Sequence, residues 1–177
     1  MDSLTYVNLE DDRVIRAITF VEAEIALSLP SFSNKVILQK LGKISWLYFT
    51  PAHTTAEIEE VDKLINKFAK SHTNNINYYL AYHRCYEFAV FYWTVLRANN
   101  INCKLVVQEL PMRHCYLLRD NIVLDMLFDR CEVPYSYDTT NAQIFDTPHN
   151  MYQEVFIPKE DRQGWEVEQL QVLKSLE

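Results

Sequence analysis

The segment 84–97 constrains the fold more than any other part of the chain, because its apolar side chains leave no clean polar face. A surface helix carries polar residues along one side, since its side chains repeat every 3.6 residues. Here eight apolar residues cover nearly the whole circumference: Phe88, Ala89, Val90, Phe91, Tyr92, Trp93, Val95 and Leu96. We therefore expect a helix that lies in the middle of the domain with other elements packed around it.

Two helical patterns come first in the chain. Apolar residues recur at helical spacing over 11–29, where a proline ends the pattern. A second helical pattern covers 32–41 and is predicted to end at Gly42, because glycine is common just past a helix. The run 44–49 is short, aromatic and bounded by Gly42 and Pro51, so we interpret it as a strand or a buried loop.

A third helix has the clearest start signal. Thr54 is followed three residues later by Glu57, the spacing of a capping box in which each side chain accepts from the other's backbone N–H. The apolar residues that follow fall on one face, and the pattern ends near His72. This predicts an amphipathic helix against the core.

Strand-like runs follow the central helix at 101–108, 114–119 and 122–128. Asp120-Asn121 separates the last two and suits a tight hairpin, which would pair Arg119 with Ile122. Beyond residue 130 we expect a long loop, then a strand at 152–157 and an amphipathic helix at 166–176. A central helix that leads into an antiparallel sheet predicts the α+β class.

The chain has 177 residues, 49% of them hydrophobic, which suits a single domain. We expect that domain to span 1–177, with a helical part at 1–75, a core of helix and sheet at 76–157, and a C-terminal helix at 158–177. The N-terminus lacks the basic start of a signal peptide, and no segment is apolar enough to span a membrane. A cytoplasmic location without membrane contact is the expectation.

Composition excludes several classes of function. Two glycines in the whole chain cannot form a Gly-rich phosphate loop, so no nucleotide cofactor is expected. The net charge of −7, with scattered basic residues, argues against nucleic acid as a partner. The four cysteines form no Cys-x-x-Cys pair and are interpreted as reduced thiols, and neither a metal nor another cofactor is expected.

Cys85, His114 and Asp125 form the most informative set of polar residues. Cys85 opens the central helix, where unpaired backbone N–H groups favour a thiolate, while the other two lie on the predicted hairpin. A catalytic thiol needs a base, and that base needs an acceptor on its second nitrogen. In the predicted register Asp125 lies diagonally from His114, close enough for this contact with a modest shift.

This order of residues resembles the transglutaminase-like branch of the papain-like cysteine protease fold. The matching segments are Cys85-Tyr86-Glu87-Phe88-Ala89, the helix end at 96–101, His114-Cys115-Tyr116-Leu117-Leu118, and Ile122-Val123-Leu124-Asp125. Together they cover about 84–129. The resemblance implies a Cys85–His114–Asp125 triad that acts on amide or peptide bonds of a protein substrate, as a protease, deamidase or acyl transferase.

Other interpretations remain beside this one. The family commonly has glycine two residues before the cysteine, where this chain has His83, and the papain-type oxyanion glutamine is absent because Tyr79 stands six residues before Cys85. The backbone N–H of Cys85 with a side chain from Asn77, Tyr79 or His83 is the candidate oxyanion hole. A protein-binding adaptor or inhibitor with little catalysis is the alternative function, and a nucleic-acid accessory factor is a weaker one.

Overall fold

The computed structural model describes residues 7–27, 35–49, 54–69, 77, 80, 84–110, 113–125, 127 and 136–148. The predicted strand at 152–157 and the predicted C-terminal helix lie outside these residues. The described elements are four helices and one antiparallel sheet, which confirms the α+β class. The helices are α1 (Asp12–Leu27), α2 (Lys35–Phe49), α3 (Thr55–Ala69) and α4 (Cys85–Ala98). The strands are β1 (Lys104–Gln108), β2 (His114–Arg119), β3 (Ile122–Leu124) and β4 (Gln143–Phe145).

Helix α4 lies in the core, as its sequence predicts. Every residue from Glu87 to Leu96 is buried. Phe91 packs against Tyr48 and Phe49 of α2, with ring centroids 5.7 and 6.2 Å apart, and Phe88 stacks on Phe49 at 6.3 Å. These contacts place α2 along one side of α4, while α1 and the sheet also pack against it. The helix is therefore enclosed by the elements before and after it in the chain.

The sheet has the strand order β3-β2-β1-β4, and all its pairs are antiparallel. Arg119 pairs with Ile122, which confirms the predicted hairpin register. Asp120 and Asn121 have φ values of 49° and 65°, the left-handed conformation that a two-residue hairpin turn requires. Leu105, Val107, Cys115 and Leu117 point from alternate positions of β1 and β2 into the core shared with α4.

Two strand boundaries differ from the prediction. Strand β3 ends at Leu124 instead of continuing to 128. The chain turns after it, and the turn is stabilised by the backbone N–H of Leu127, which donates to Oδ1 of Asp125 at 3.1 Å. Strand β4 falls within the segment that we expected to be a long loop. It has only three residues and pairs with β1, so local sequence carries little signal for it.

The prediction for 44–49 was wrong, because α2 continues through Gly42 to Phe49. Gly42 does not end the helix. Its missing side chain makes room for Asn77, since a Cβ at Gly42 would lie only 2.6 Å from Cγ of Asn77. In the local sequence, glycine at this position indicates a helix end. In the structure, it instead allows close contact with a residue far along the chain.

The capping box at the start of α3 is confirmed. The Thr54 backbone N–H donates to Oε2 of Glu57 at 3.0 Å, and the Glu57 backbone N–H donates to Oγ1 of Thr54 at 3.2 Å. Among the helices that the structure describes, none has both the length and the apolar character needed to cross a bilayer.

Replacing Gly42 with alanine tests the contact with Asn77. In an exposed helix this change would stabilise by about 1 kcal/mol, because alanine has the higher helix propensity. Here we expect Gly42→Ala to destabilise by about 1–3 kcal/mol, as the methyl group overlaps the Asn77 amide. Chemical denaturation of both single variants and of the Gly42→Ala/Asn77→Ala double variant should give a double-variant cost well below the sum. A stabilising Gly42→Ala change would contradict the contact.

Candidate active site

Cys85 is the first residue of α4 and is only partly buried. The helix begins after Arg84, whose backbone oxygen accepts from the N–H of Phe88 at 3.1 Å. The N–H groups of 85–87 have no carbonyl one turn earlier within the helix, so they form the positive end of the helix dipole. That field stabilises negative charge on the Cys85 sulfur.

His114 and Asp125 are brought together by the hairpin. Nε2 of His114 lies 2.7 Å from Oδ2 of Asp125, and each side chain is only 3% exposed. The register explains the contact: Leu117 pairs with Leu124, so Asp125 follows on the same face as His114, in a diagonal position. A tight turn and an early strand end thus place a carboxylate against an imidazole.

The Cys85 thiol forms a side-chain hydrogen bond with His114. Since Nε2 binds Asp125, we assign the contact with the sulfur to Nδ1. Burial alone would lower the pKa of His114, but the hydrogen bonds with Asp125 and Cys85 outweigh it and raise that pKa to about 9. The imidazole therefore interacts with both the thiol and the carboxylate, and these interactions favour its protonated form.

Protonation of His114 fixes the direction of both hydrogen bonds. In its protonated form the imidazole donates from both nitrogens, so Oδ2 of Asp125 and the Cys85 sulfur each accept. This arrangement can deliver a nucleophilic sulfur and return a proton to a leaving group.

The other cysteines of the described residues differ sharply from Cys85. Cys103 and Cys115 are buried, at 1% exposure each, and neither forms a disulfide. Burial raises the pKa of the Cys103 thiol to about 11 and the pKa of Cys115 well above its ordinary value. Cys131 lies outside the described residues. Only Cys85, among the cysteines that the structure describes, combines partial exposure with a histidine partner.

Tyr137 joins the site although sequence reasoning gave it no role there. Its hydroxyl donates to Oδ2 of Asp125 at 2.6 Å, the same oxygen that binds His114. Tyr116 stacks on the His114 ring with centroids 5.8 Å apart, and Tyr137 packs edge-on against Tyr116 at 5.0 Å. Tyrosines are too frequent in this chain for their type alone to indicate such a position.

Gln108 was also missed. It is 2% exposed and pairs with His114 across the β1–β2 ladder. The available signal was a polar residue at the end of an apolar strand, since a buried amide needs partners for its hydrogen-bonding groups. This pattern predicts that Gln108 takes part in a hydrogen-bond network, but it does not identify the partners.

The structure places one of the three oxyanion candidates. Asn77 is buried and its Nδ2 donates to the hydroxyl of Tyr92 at 3.4 Å. Tyr92 lies seven residues along α4 from Cys85, a rise of about 10 Å, so this contact does not bring the Asn77 amide to the thiol. Tyr79 and His83 lie outside the described residues, and their oxyanion role stays a prediction.

Within the described residues, no cluster of three or more His, Cys, Asp or Glu side chains could hold a metal ion. Comparison of the chain with protein-family models, with curated proteins and with solved structures gives no match in any of the three. The function of the protein is therefore inferred from the geometry of the site itself.

The raised pKa of His114 predicts how stability varies with pH. Because the folded state binds this proton more tightly than the unfolded chain, the contribution is complete below about pH 6.5 and disappears as pH rises through about 9. We expect a loss of at most about 3 kcal/mol over that window. Denaturation of the wild type and of His114→Gln across pH 5.5–9.5 isolates this contribution, because the other ionisable side chains are present in both proteins. Parallel pH curves would refute the assignment.

Proposed function

We propose that this chain is a transglutaminase-like thiol enzyme in which Cys85 is the nucleophile, His114 transfers protons and Asp125 orients His114. The carrying observation is that His114 is hydrogen bonded on both sides, to Asp125 at 2.7 Å and to the Cys85 thiol. A histidine with only a structural role needs partners, but it does not need a partly exposed thiol at a helix N-terminus as one of them.

The proposed reaction proceeds in two steps. The Cys85 sulfur attacks the carbonyl carbon of a carboxamide or peptide bond, the C–N bond breaks, and the departing amine takes the proton from Nδ1 of His114. Water or a second amine then attacks the resulting thioester, giving its proton to His114 as the sulfur leaves. Water makes the protein a protease or deamidase, whereas an amine makes it an acyl transferase.

Charge development in the first step suits the start of α4. The tetrahedral intermediate carries a negative oxygen next to the attacked carbon, and the backbone N–H of Cys85 lies at the positive end of the helix. In this proposal that N–H is one donor to the oxyanion. A protein or peptide supplies the amide, and the helix and sheet around the site form a papain-like core.

Selective alkylation tests the activated thiol. In a Cys131→Ser background at pH 7, iodoacetamide should modify Cys85 at least about tenfold faster than Cys103 or Cys115, whose burial raises their pKa values. Peptide mapping by mass spectrometry gives the rates. His114→Gln should remove most of the preference, whereas Asp146→Asn should not, because Asp146 is an exposed carboxylate just after β4 that is paired with Lys104. Equal slow labelling of all three thiols would exclude an activated Cys85.

Turnover is tested with amide substrates and two acceptors. We expect hydroxamate formation from a glutamine-containing peptide with hydroxylamine, or ammonia release from the same peptide in water, and hydrolysis of labelled casein if peptide bonds are cleaved. Cys85→Ala should abolish turnover, and Asp125→Asn should reduce it by roughly 100-fold, because the imidazole loses its orienting carboxylate. Asp146→Asn is the matched control. Selective alkylation without turnover of any substrate would favour the adaptor function.

A further inference from the structure

Gln108 makes four hydrogen bonds with a side chain that the proposed chemistry does not use. Its Nε2 donates to the backbone oxygens of Leu110 at 2.8 Å and Ser136 at 2.7 Å. Its Oε1 accepts from the Tyr116 hydroxyl at 2.9 Å and from the backbone N–H of Asp138 at 2.8 Å. Both amide protons and both lone pairs of this buried side chain are therefore used.

Two of these bonds hold the chain on either side of Tyr137. One goes to the oxygen of Ser136 and the other to the N–H of Asp138, so a single amide fixes both neighbouring peptide groups. The segment 136–138 has no regular secondary structure of its own. Its place beside the sheet thus depends on Gln108, together with the edge-on contact between the rings of Tyr137 and Tyr116.

Tyr137 in turn fixes the carboxylate of Asp125. Oδ2 accepts from the Tyr137 hydroxyl at 2.6 Å and from Nε2 of His114 at 2.7 Å, while Oδ1 accepts from the Leu127 N–H at 3.1 Å. Donors on both oxygens prevent rotation of the carboxylate about its Cβ–Cγ bond. Without the Tyr137 hydroxyl, only His114 itself would hold Oδ2 in this direction.

We propose that Gln108 and Tyr137 are positioning residues for the His114–Asp125 pair, with Gln108 placing Tyr137 and Tyr137 holding the Asp125 carboxylate towards the imidazole. This inference rests on the proposed function, since it names what orients the pair that activates Cys85. Neither residue touches the reacting atoms. Both act through Asp125.

Tyr137→Phe tests the second link, because it keeps the aromatic ring and removes only the hydroxyl. We expect the second-order rate constant for iodoacetamide at Cys85 to fall about tenfold at pH 7, and its pH–rate profile to move to higher pH. A more mobile carboxylate supports the imidazolium less well, so the thiolate forms less readily. Tyr48→Phe, which removes a hydroxyl that binds the Asn8 N–H far from the site, should leave both unchanged.

Gln108→Glu tests the first link. The glutamate side chain keeps one oxygen that accepts from Tyr116 and Asp138. Its second oxygen replaces the NH2 group, so an acceptor instead of a donor faces the backbone oxygen of Ser136. We expect the same displaced pH–rate profile as in Tyr137→Phe. Because Gln108 acts through Tyr137, the effect of Gln108→Glu should nearly vanish in a Tyr137→Phe background. Gln143→Glu, an exposed position on β4, is the matched control.

The result separates this inference from the proposed function. If wild-type Cys85 shows no selective alkylation, the proposed function itself fails. If Cys85 is selective and depends on His114, but Tyr137→Phe keeps the wild-type rate and pH profile, the positioning role is overturned. Full additivity of Gln108→Glu and Tyr137→Phe would overturn the link between the two residues. Circular dichroism and thermal unfolding establish that each variant is folded before its profile is measured.

Discussion

Burial of α4 is the constraint on which the described structure depends. Its residues from Glu87 to Leu96 are all buried, so elements must pack against it on every side. Helices α1 and α2 and the sheet provide this cover, and the aromatic contacts of Phe88 and Phe91 connect α2 to α4. Truncating a buried aromatic residue typically costs about 3–5 kcal/mol, which is a large part of the stability of a small domain. The same burial fixes the position of the helix N-terminus, and with it Cys85.

A buried His114–Asp125 pair is costly unless its groups are fully hydrogen bonded. Taking an imidazolium and a carboxylate out of water costs several kcal/mol per ion, and good geometry must offset that cost. In this protein the carboxylate accepts from His114, Tyr137 and the Leu127 N–H, while the imidazole also binds the Cys85 thiol. The raised pKa of His114 shows that these bonds outweigh desolvation. The pair is thus held by a network that spans the helix start, the hairpin and the segment 136–138.

The parts of the fold that were predicted correctly depend on local rules. The central helix followed from its apolar circumference, the start of α3 from Thr54 and Glu57, and the hairpin register from Asp120-Asn121. Gly42 shows where such rules fail, because its role is a contact with Asn77, 35 positions further along the chain. Strand β4 failed for the same reason, as three residues gain strand geometry only through pairing with β1.

The candidate site also contains some residues that could be predicted from the sequence and others that could not. Cys85, His114 and Asp125 could be listed from the sequence because their types and their order are informative, and the hairpin register brought two of them near each other. Tyr137 and Gln108 could not, since their roles arise from hydrogen bonds across 12 and 28 positions of the chain. Residues that carry a reactive atom are recognisable by chemistry, whereas residues that orient them belong to types that occur throughout the chain and are recognised only by position. Both the sequence and the structure are therefore needed to identify the residues of such a site. Residue chemistry identifies the sulfur, the imidazole and the carboxylate, and geometry identifies the groups that orient them.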